Sequence, residues 1–172
     1  LVAGLSLNIF NKHCDRVKMA NIAQLINVLQ AVILTDGPKM LLTPTYHVFH
    51  MYKYHQNAEL VDSYIEGTKI IGEENDFMVP NLQESVSVDE DGIITITLNN
   101  LSISESEEVE ISFTECKPNQ VTAKILVNKM NAYNTFEQPE QVKQEDFAAF
   151  TVTEKGINFT IPACSIIQLR VK

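Results

Sequence analysis

The spacing of the apolar residues changes partway along the chain. In the first part they recur at helical intervals, as in Leu1, Leu5 and Ile9, and the run ends in the polar residues 11–13. This pattern predicts a helix. The next apolar stretch, residues 17–23, has the length and composition of a buried strand, although a helix is also compatible with it. A helix followed by a buried strand is one step of an α/β repeat.

A second helix is predicted over residues 43–55. Thr43 immediately precedes Pro44. The threonine hydroxyl can accept a hydrogen bond from a free backbone N–H, and proline at the first helical position loses no hydrogen bond. The turn sequence at residues 36–38 separates this helix from the apolar segment before it.

From residue 61 onward the apolar period becomes two. Apolar and polar residues alternate over 85–88 and 94–98, on either side of the turn at 91–92, and predict a hairpin. Residues 109–114 predict a strand with one solvent-exposed face. Further strands are predicted at 121–127, 147–152, 157–161 and 164–171, with a hairpin turn at 154–156. About seven short antiparallel strands indicate a β-sandwich.

Charge and composition narrow the function classes. The 172 residues carry a net charge of -9; residues 1–60 contribute +2 and residues 61–172 contribute -11. This shift coincides with the change of period. The acidity argues against a nucleic-acid or anionic-membrane surface, and no apolar run approaches the roughly 20 residues that a bilayer requires. The three cysteines lack metal or redox spacing, which favours a reducing, cytoplasmic compartment.

Three stretches carry a resemblance to a known family. They are DRVKMANIAQLINV at 15–28, ILT at 33–35 and TPTYHVF at 43–49. They resemble the C-terminal part of a glycoside hydrolase family 51 α-L-arabinofuranosidase. The all-β remainder is similar to that family's C-terminal sandwich in place and class, and residues 161–167 resemble the ending before its terminal strand.

The resemblance implies a fold in two parts. Residues 1–58 would be the C-terminal part of a (β/α)8 catalytic barrel, with the eighth barrel strand at about 16–22 and the eighth helix at 43–55. Residues 59–172 would be an antiparallel, jelly-roll-like β-sandwich. A complete barrel takes about 250 residues, so we expect most of the barrel to precede Leu1.

The same resemblance implies a retaining, exo-acting glycosidase that removes terminal arabinofuranosyl units from arabinan, arabinoxylan or derived oligosaccharides. The family's two catalytic glutamates follow the fourth and seventh barrel strands, and we expect both upstream of Leu1. We therefore predict no catalytic residue in this chain, and an inactive isolated fragment. Independently, Asp15, Asp36 and Glu59 lack the apolar strand-end setting of a catalytic acid. The resemblance implies no cofactor or metal, and a homo-oligomer, a hexamer in many members.

One substrate residue carries over from the family. Gln24 matches the glutamine that hydrogen-bonds arabinofuranose, and Asn21 and Asn27 are further candidates for supporting roles. A side-chain amide offers both a donor and an acceptor to sugar hydroxyls. Without the resemblance, an amide satisfied by backbone groups in a loop is the favoured explanation of Gln24, and the resemblance is what favours a sugar contact.

Other candidates have simpler explanations. His47 and His50 are three residues apart but lack a third ligand, so surface or partly buried histidines are favoured over a metal site. Phe49 and Tyr52 have the spacing of helix-to-barrel packing rather than of a sugar platform. A rival hypothesis is a non-catalytic β-sandwich that binds carbohydrate or protein, although the chain contains no tryptophan to stack on a sugar.

Overall fold

The computed structural model describes residues 1–23, 25–73, 78–114 and 117–172. Within these ranges the chain forms two α-helices, one 3-10 turn and thirteen strands. The helices are α1 (Val2–Lys12) and α2 (Pro44–Tyr52), which continues into the 3-10 turn Lys53–His55. The strands are β1 (Ile33–Asp36), β2 (Lys39–Leu42), β3 (Glu59–Leu60), β4 (Ile70–Gly72), β5 (Met78–Pro80), β6 (Leu82–Val88), β7 (Ile94–Asn100), β8 (Glu107–Ser112), β9 (Val121–Val127), β10 (Glu145–Asp146), β11 (Phe150–Val152), β12 (Gly156–Ile161) and β13 (Ser165–Val171).

Two antiparallel sheets face each other across the main core. The larger sheet has six strands in the order β10-β9-β13-β7-β6-β3, and the smaller has three in the order β11-β12-β8. Alternate residues of both sheets point inward, among them Ile96, Leu98, Ile167 and Leu169 from the larger sheet and Ile157, Phe159 and Ile161 from the smaller. The β-sandwich predicted from the period of two is confirmed, including the hairpin turns at 91–92 and 154–156.

The smaller sheet contains one point of close backbone approach. A Cβ atom on Gly156 would overlap the backbone carbonyl of Ile111 on the neighbouring strand. Because backbone atoms cannot move aside as a flexible side chain can, this position requires glycine. The outward side of the same sheet is polar and exposed at Glu108 and Glu110, as predicted for a strand with one wet face.

On β6 and β7, the second side of the larger sheet is polar, but it is buried. Ser85, Thr95, Thr97 and Asn99 are at most 1% exposed, because α1, α2 and the 3-10 turn cover them. The alternation in β6 and β7 therefore separates an apolar core from a polar helix interface, rather than from water.

Hydrogen bonds join the helices to this polar side. Asn8 of α1 is 1% exposed, and its Oδ1 accepts hydrogen bonds from the hydroxyls of Tyr52 at 2.8 Å, Ser85 at 2.9 Å and Thr97 at 2.9 Å. Its Nδ2 donates to the Gln83 carbonyl at 3.0 Å. On β13, Gln168 Nε2 donates to the carbonyl of Met51 at 2.6 Å, at the end of α2. Both helices are thus fixed to the sandwich by fully buried polar contacts.

Helix α1 forms as predicted, and the residues that it buries lie beside its apolar stripe. Its buried residues are Gly4 and Asn8, whereas Ile9 of the predicted apolar face is 45% exposed. A Cβ on Gly4 would lie 2.7 Å from Ile166 Cδ1 and 2.9 Å from Asn99 Nδ2. The lack of a side chain at this position lets the helix approach the sheet closely enough for Asn8 to reach its partners.

The strand predicted at residues 16–22 is wrong for this structure. Residues 13–16 form turns after α1, and residues 17–22 belong to no helix or strand. A buried parallel strand needs neighbours that take up its backbone hydrogen bonds, and no strand of the described ranges pairs with this stretch. Residues 16–22 therefore do not form the barrel strand of the predicted fold class.

The packing predicted for α2 also needs correction. Tyr52 is buried, as expected, but it packs against α1 and β7 of the sandwich and not against a barrel; its hydroxyl lies 3.2 Å from Asn99 Oδ1. A second core cluster combines Val48 and Met51 of α2 with Leu126 and Ile166 of the larger sheet. The division of the chain into 1–58 and 59–172 remains a prediction.

Candidate functional site

The candidate substrate segment connects α1 to the β1-β2 hairpin. Gln24 itself lies outside the described residues. The flanking residues are described: Asn21 is exposed and belongs to no regular element, and Leu25 is 54% exposed. Asn27, the other supporting candidate, has a left-handed backbone with φ of 54°. Asparagine tolerates this conformation better than most residues do.

Four hydrogen bonds hold residues 25–27 against β1. Ile26 forms a parallel bridge with Ile33, in which Ile33 N donates to the Leu25 carbonyl and Asn27 N donates to the Ile33 carbonyl, both at 3.2 Å. The Asn27 side chain adds two more, since Nδ2 donates to Thr35 Oγ1 at 2.8 Å and Oδ1 accepts from Thr35 N at 2.7 Å. Both polar atoms of the Asn27 amide, Nδ2 and Oδ1, are therefore bonded within the protein, which uses one of its two N–H donors and one of the two acceptor positions.

At the start of α2, Thr43 bonds to the preceding loop and does not cap the helix as predicted. Thr43 is the residue before the helix, but its hydroxyl caps no backbone N–H. Instead it donates to the Ala31 carbonyl at 2.9 Å, while Thr43 N donates to the Val32 carbonyl at 3.0 Å. Ala31 is 3% exposed, so its carbonyl needs a donor from within the protein.

A mainly apolar groove of about 300 Å³ lies between this loop and α2. Its walls are Ile22, Leu25, Val32, Tyr46, Phe49 and His50. The Tyr46 and His50 rings stack with their centres 6.0 Å apart, and the Gln144 amide is hydrogen-bonded to His50 Nδ1. The aromatic face of α2 therefore lies beside the residues that flank Gln24.

The histidine pair of α2 shows no metal-binding geometry. His47 is buried, and burial, followed by the neighbouring His50, lowers its pKa. Over the described ranges, no three histidine, cysteine or carboxylate side chains are grouped closely enough to hold a metal ion.

The carboxylates of the N-terminal part are separated. Asp15 lies in the turn after α1, Asp36 ends β1 and Glu59 begins β3, and all three are exposed. In the sandwich, Glu105 and Glu107 share Lys69 as an ion-pair partner, at 3.0 Å and 2.8 Å. These carboxylates have the surroundings of surface groups, not of a catalytic acid.

A second hollow, of about 690 Å³, opens on the outward side of the smaller sheet. Its lining includes Glu108, Glu110, Thr151, Asn158 and Thr160, which the strand register places side by side. The nearby Phe150 and Phe159 pack on the sandwich core. The hollow therefore offers polar groups to a ligand but no exposed ring for stacking.

Two features of the site could not be read from the sequence pattern. Thr35 lies eight residues from Asn27, so their pairing follows no local periodicity. Thr43 was recognised as a helix start, but its hydroxyl serves the preceding loop. The one available signal was Asn27, because asparagine is enriched where the backbone is left-handed.

Taken together, these elements define a β-sandwich with two docked helices and a loop that precedes the second helix. The family model for the "Alpha-L-arabinofuranosidase C-terminal domain" matches residues 1–165. The chain therefore belongs to the α-L-arabinofuranosidase C-terminal domain family, and its resemblance to the C-terminal part of family 51 enzymes is confirmed.

Individual relatives agree with the family. An intracellular exo-α-L-arabinofuranosidase from Bacteroides ovatus is 40% identical over 99% of this chain, which spans 33% of that protein. The crystal structure of the GH51 arabinofuranosidase from Xanthomonas axonopodis pv. citri is 41% identical, with a TM-score of 0.93 over 99% of this chain and 34% of that one. The thermostable GH51 enzyme from Thermotoga petrophila RKU-1 is 27% identical, with a TM-score of 0.82 over 99% of this chain and 37% of that one. The chain thus spans about a third of the length of these relatives.

Neither helix in the described part of the chain combines the length and apolar character needed to cross a membrane. Cys14 is an exposed free thiol and Cys164 a partly buried one, while Cys116 lies outside the described residues.

Proposed function

We propose that this chain is the C-terminal third of a longer, retaining, exo-acting α-L-arabinofuranosidase. Its substrates would be the terminal, non-reducing α-L-arabinofuranosyl units of arabinan, arabinoxylan or derived oligosaccharides. The observation that carries this proposal is the 40% identity along nearly the whole chain to a third of an exo-α-L-arabinofuranosidase. The relative from Bacteroides ovatus is named as intracellular, which supports a cytoplasmic location.

In this proposal the chemistry resides outside the chain. A retaining glycosidase needs a nucleophile and an acid/base carboxylate about 5 to 5.5 Å apart. Asp15, Asp36 and Glu59 stand exposed on three separate elements and offer no such pair. The two catalytic glutamates would come from the missing barrel, and the isolated chain would be inactive.

The contribution of this chain would be to complete the barrel and the glycone subsite. Gln24 would hydrogen-bond the arabinofuranose, with Asn21 nearby. Exposed apolar side chains between α1 and β1 support a missing barrel partner: Met19 is 78% exposed, Leu25 54% and Leu29 93%. Such side chains are expected where another part of a protein packs.

The first experiment is to measure the mass of the native polypeptide and its release of arabinose from a chromogenic α-L-arabinofuranoside. We expect a mass roughly three times the 19.4 kDa of this chain, with activity, and no activity from the 172 residues alone. An inactive native polypeptide of 19.4 kDa would overturn the proposal. It would favour the rival sandwich module, whose binding surface would be the hollow beside Glu108 and Asn158.

The role of Gln24 is tested in the same full-length enzyme. Gln24→Ala should lower kcat/KM by roughly 10- to 100-fold, as expected when a polar contact to substrate is lost. Gln138→Ala is the matched control, because it removes the same side chain from an exposed position between β9 and β10. Equal kinetics for the two variants would remove Gln24 from the site. The oligomer that the resemblance implies stays a prediction, to be tested by light scattering on the full-length enzyme.

A further inference from the structure

The residues that follow Gln24 are held in place by polar contacts more than by packing. Leu25 and Ile26 are 54% and 48% exposed, so little buried apolar surface fixes their position. What ties this stretch to the protein is the bridge to Ile33 and the paired hydrogen bonds between Asn27 and Thr35, at 2.7 Å and 2.8 Å.

These contacts lead without interruption to the sandwich. Thr35 lies in β1, which pairs with β2, and β2 leads through Thr43 into α2. Thr43 is bonded back to residues 31 and 32 of the loop, and α2 is anchored to β13 by the 2.6 Å hydrogen bond from Gln168 to the Met51 carbonyl. The backbone of Leu25 is therefore placed relative to the sandwich through the β1-β2 hairpin.

We infer that Asn27 and Thr35 are positioning residues for the glycone subsite: the pair fixes the backbone at Leu25 and so sets where the adjacent Gln24 meets the sugar. This inference rests on the proposed function. It assigns Asn27 a different role from a sugar contact, because both Nδ2 and Oδ1 of its amide are bonded to Thr35 and oriented by it. Small displacements of a group that binds the reacting sugar reduce catalysis strongly, so a fixed backbone at Leu25 would raise kcat/KM.

The test is a double-mutant cycle in the full-length enzyme. Asn27→Ala and Thr35→Val should each lower kcat/KM for a chromogenic arabinofuranoside by about tenfold, and the two together should lower it no further than either alone. Thr35→Ser keeps the accepting oxygen and should restore most of the loss. In a Gln24→Ala background, Asn27→Ala should have almost no additional effect, because the residue being positioned is already absent.

Two controls separate positioning from loss of fold. Asn57 is exposed and has the same left-handed backbone, with φ of 59°, so Asn57→Ala introduces the same strain away from the loop and should leave kcat/KM unchanged. In the 172-residue chain, amide hydrogen exchange gives a readout independent of activity. Thr35→Val should speed exchange at Asn27 and Ile33 while the amides of the larger sheet stay protected.

The outcomes distinguish the two proposals. If Gln24→Ala leaves the kinetics unchanged, the proposed role of Gln24 fails, and the positioning inference falls with it. If Gln24→Ala impairs the enzyme but Asn27→Ala and Thr35→Val do not, only the positioning inference is overturned. An equal loss from Asn27→Ala with and without Gln24 would also overturn it, because the effect would then act by another route.

Discussion

Replacing Asn8 by alanine should lower the free energy of unfolding by about 2–4 kcal/mol, because the change removes several buried hydrogen bonds and leaves a small cavity. Asn8 Oδ1 accepts from three hydroxyls, and Nδ2 donates to the Gln83 carbonyl. Part of the loss is recoverable. The Ser85 and Thr97 hydroxyls are 3.0 Å apart and can bond each other, and Tyr52 keeps Asn99 Oδ1 at 3.2 Å. The Gln83 carbonyl loses its side-chain donor, and the space of the amide stays empty.

The assay is equilibrium urea unfolding of the 172-residue chain, followed by far-ultraviolet circular dichroism at pH 7.5. Asn128→Ala is the control, because its amide also donates to a backbone carbonyl, that of Gln141 at 2.8 Å, but in an exposed loop. We expect the control to lose less than about 1 kcal/mol. A loss of under about 0.5 kcal/mol for Asn8→Ala would show that the buried network does not hold the helices to the sheet.

Three further predictions address other parts of the chain. Burial lowers the pKa of His55 to about 4, whereas the unfolded chain takes up this proton near pH 6.5. The stability contributed by neutral His55 should therefore be complete above about pH 6.5 and fall by up to about 3 kcal/mol toward pH 4. In urea unfolding, His55→Gln should reduce this pH dependence and leave the part due to His47, whose pKa burial also lowers; an unchanged dependence would contradict the prediction. Gly156→Ala should lower the free energy of unfolding by more than about 2 kcal/mol, because the added Cβ would overlap the Ile111 carbonyl. Gly92→Ala, at a positive φ but in open space, should lower it by only about 1 kcal/mol. Similar losses for the two variants in calorimetry would contradict the backbone overlap. The 172-residue chain should self-associate through exposed apolar side chains, and Met19→Glu with Leu29→Glu should reduce this in sedimentation velocity; unchanged association would place the contact elsewhere.

The strands of the sandwich could be predicted because their sequence period is local. The hairpin around residues 91–92 needs only alternation and a turn, and both are visible within about 15 residues. The burial of the polar side could not be predicted from this pattern. Thr95 and Thr97 alternate with isoleucines in the same way whether water or a helix covers them, and only the docking of α1 decides which.

In the N-terminal part, by contrast, the composition predicted a strand that the structure does not contain. The composition of residues 16–22 is typical of a buried strand, but a strand also requires partners, and local composition does not show whether partners are present. The candidate site had the same difficulty. Gln24 was identified by resemblance alone, and the pairing of Asn27 with Thr35 depends on a bridge between segments that no single-residue property reveals.

The hydroxyl and amide groups that line the helix side of the larger sheet have a consequence for how this sandwich could be exchanged between proteins. Interfaces between the parts of a protein are usually apolar, and separating the parts exposes apolar surface that promotes aggregation. Here Ser85, Thr97 and Gln168 would simply become hydrated if the helices were removed. By contrast, Leu126 and Ile166 on the same side would expose apolar surface, because α2 covers them. Helices that replaced α1 and α2 would therefore need polar partners for Ser85 and Thr97 and apolar residues opposite Leu126 and Ile166.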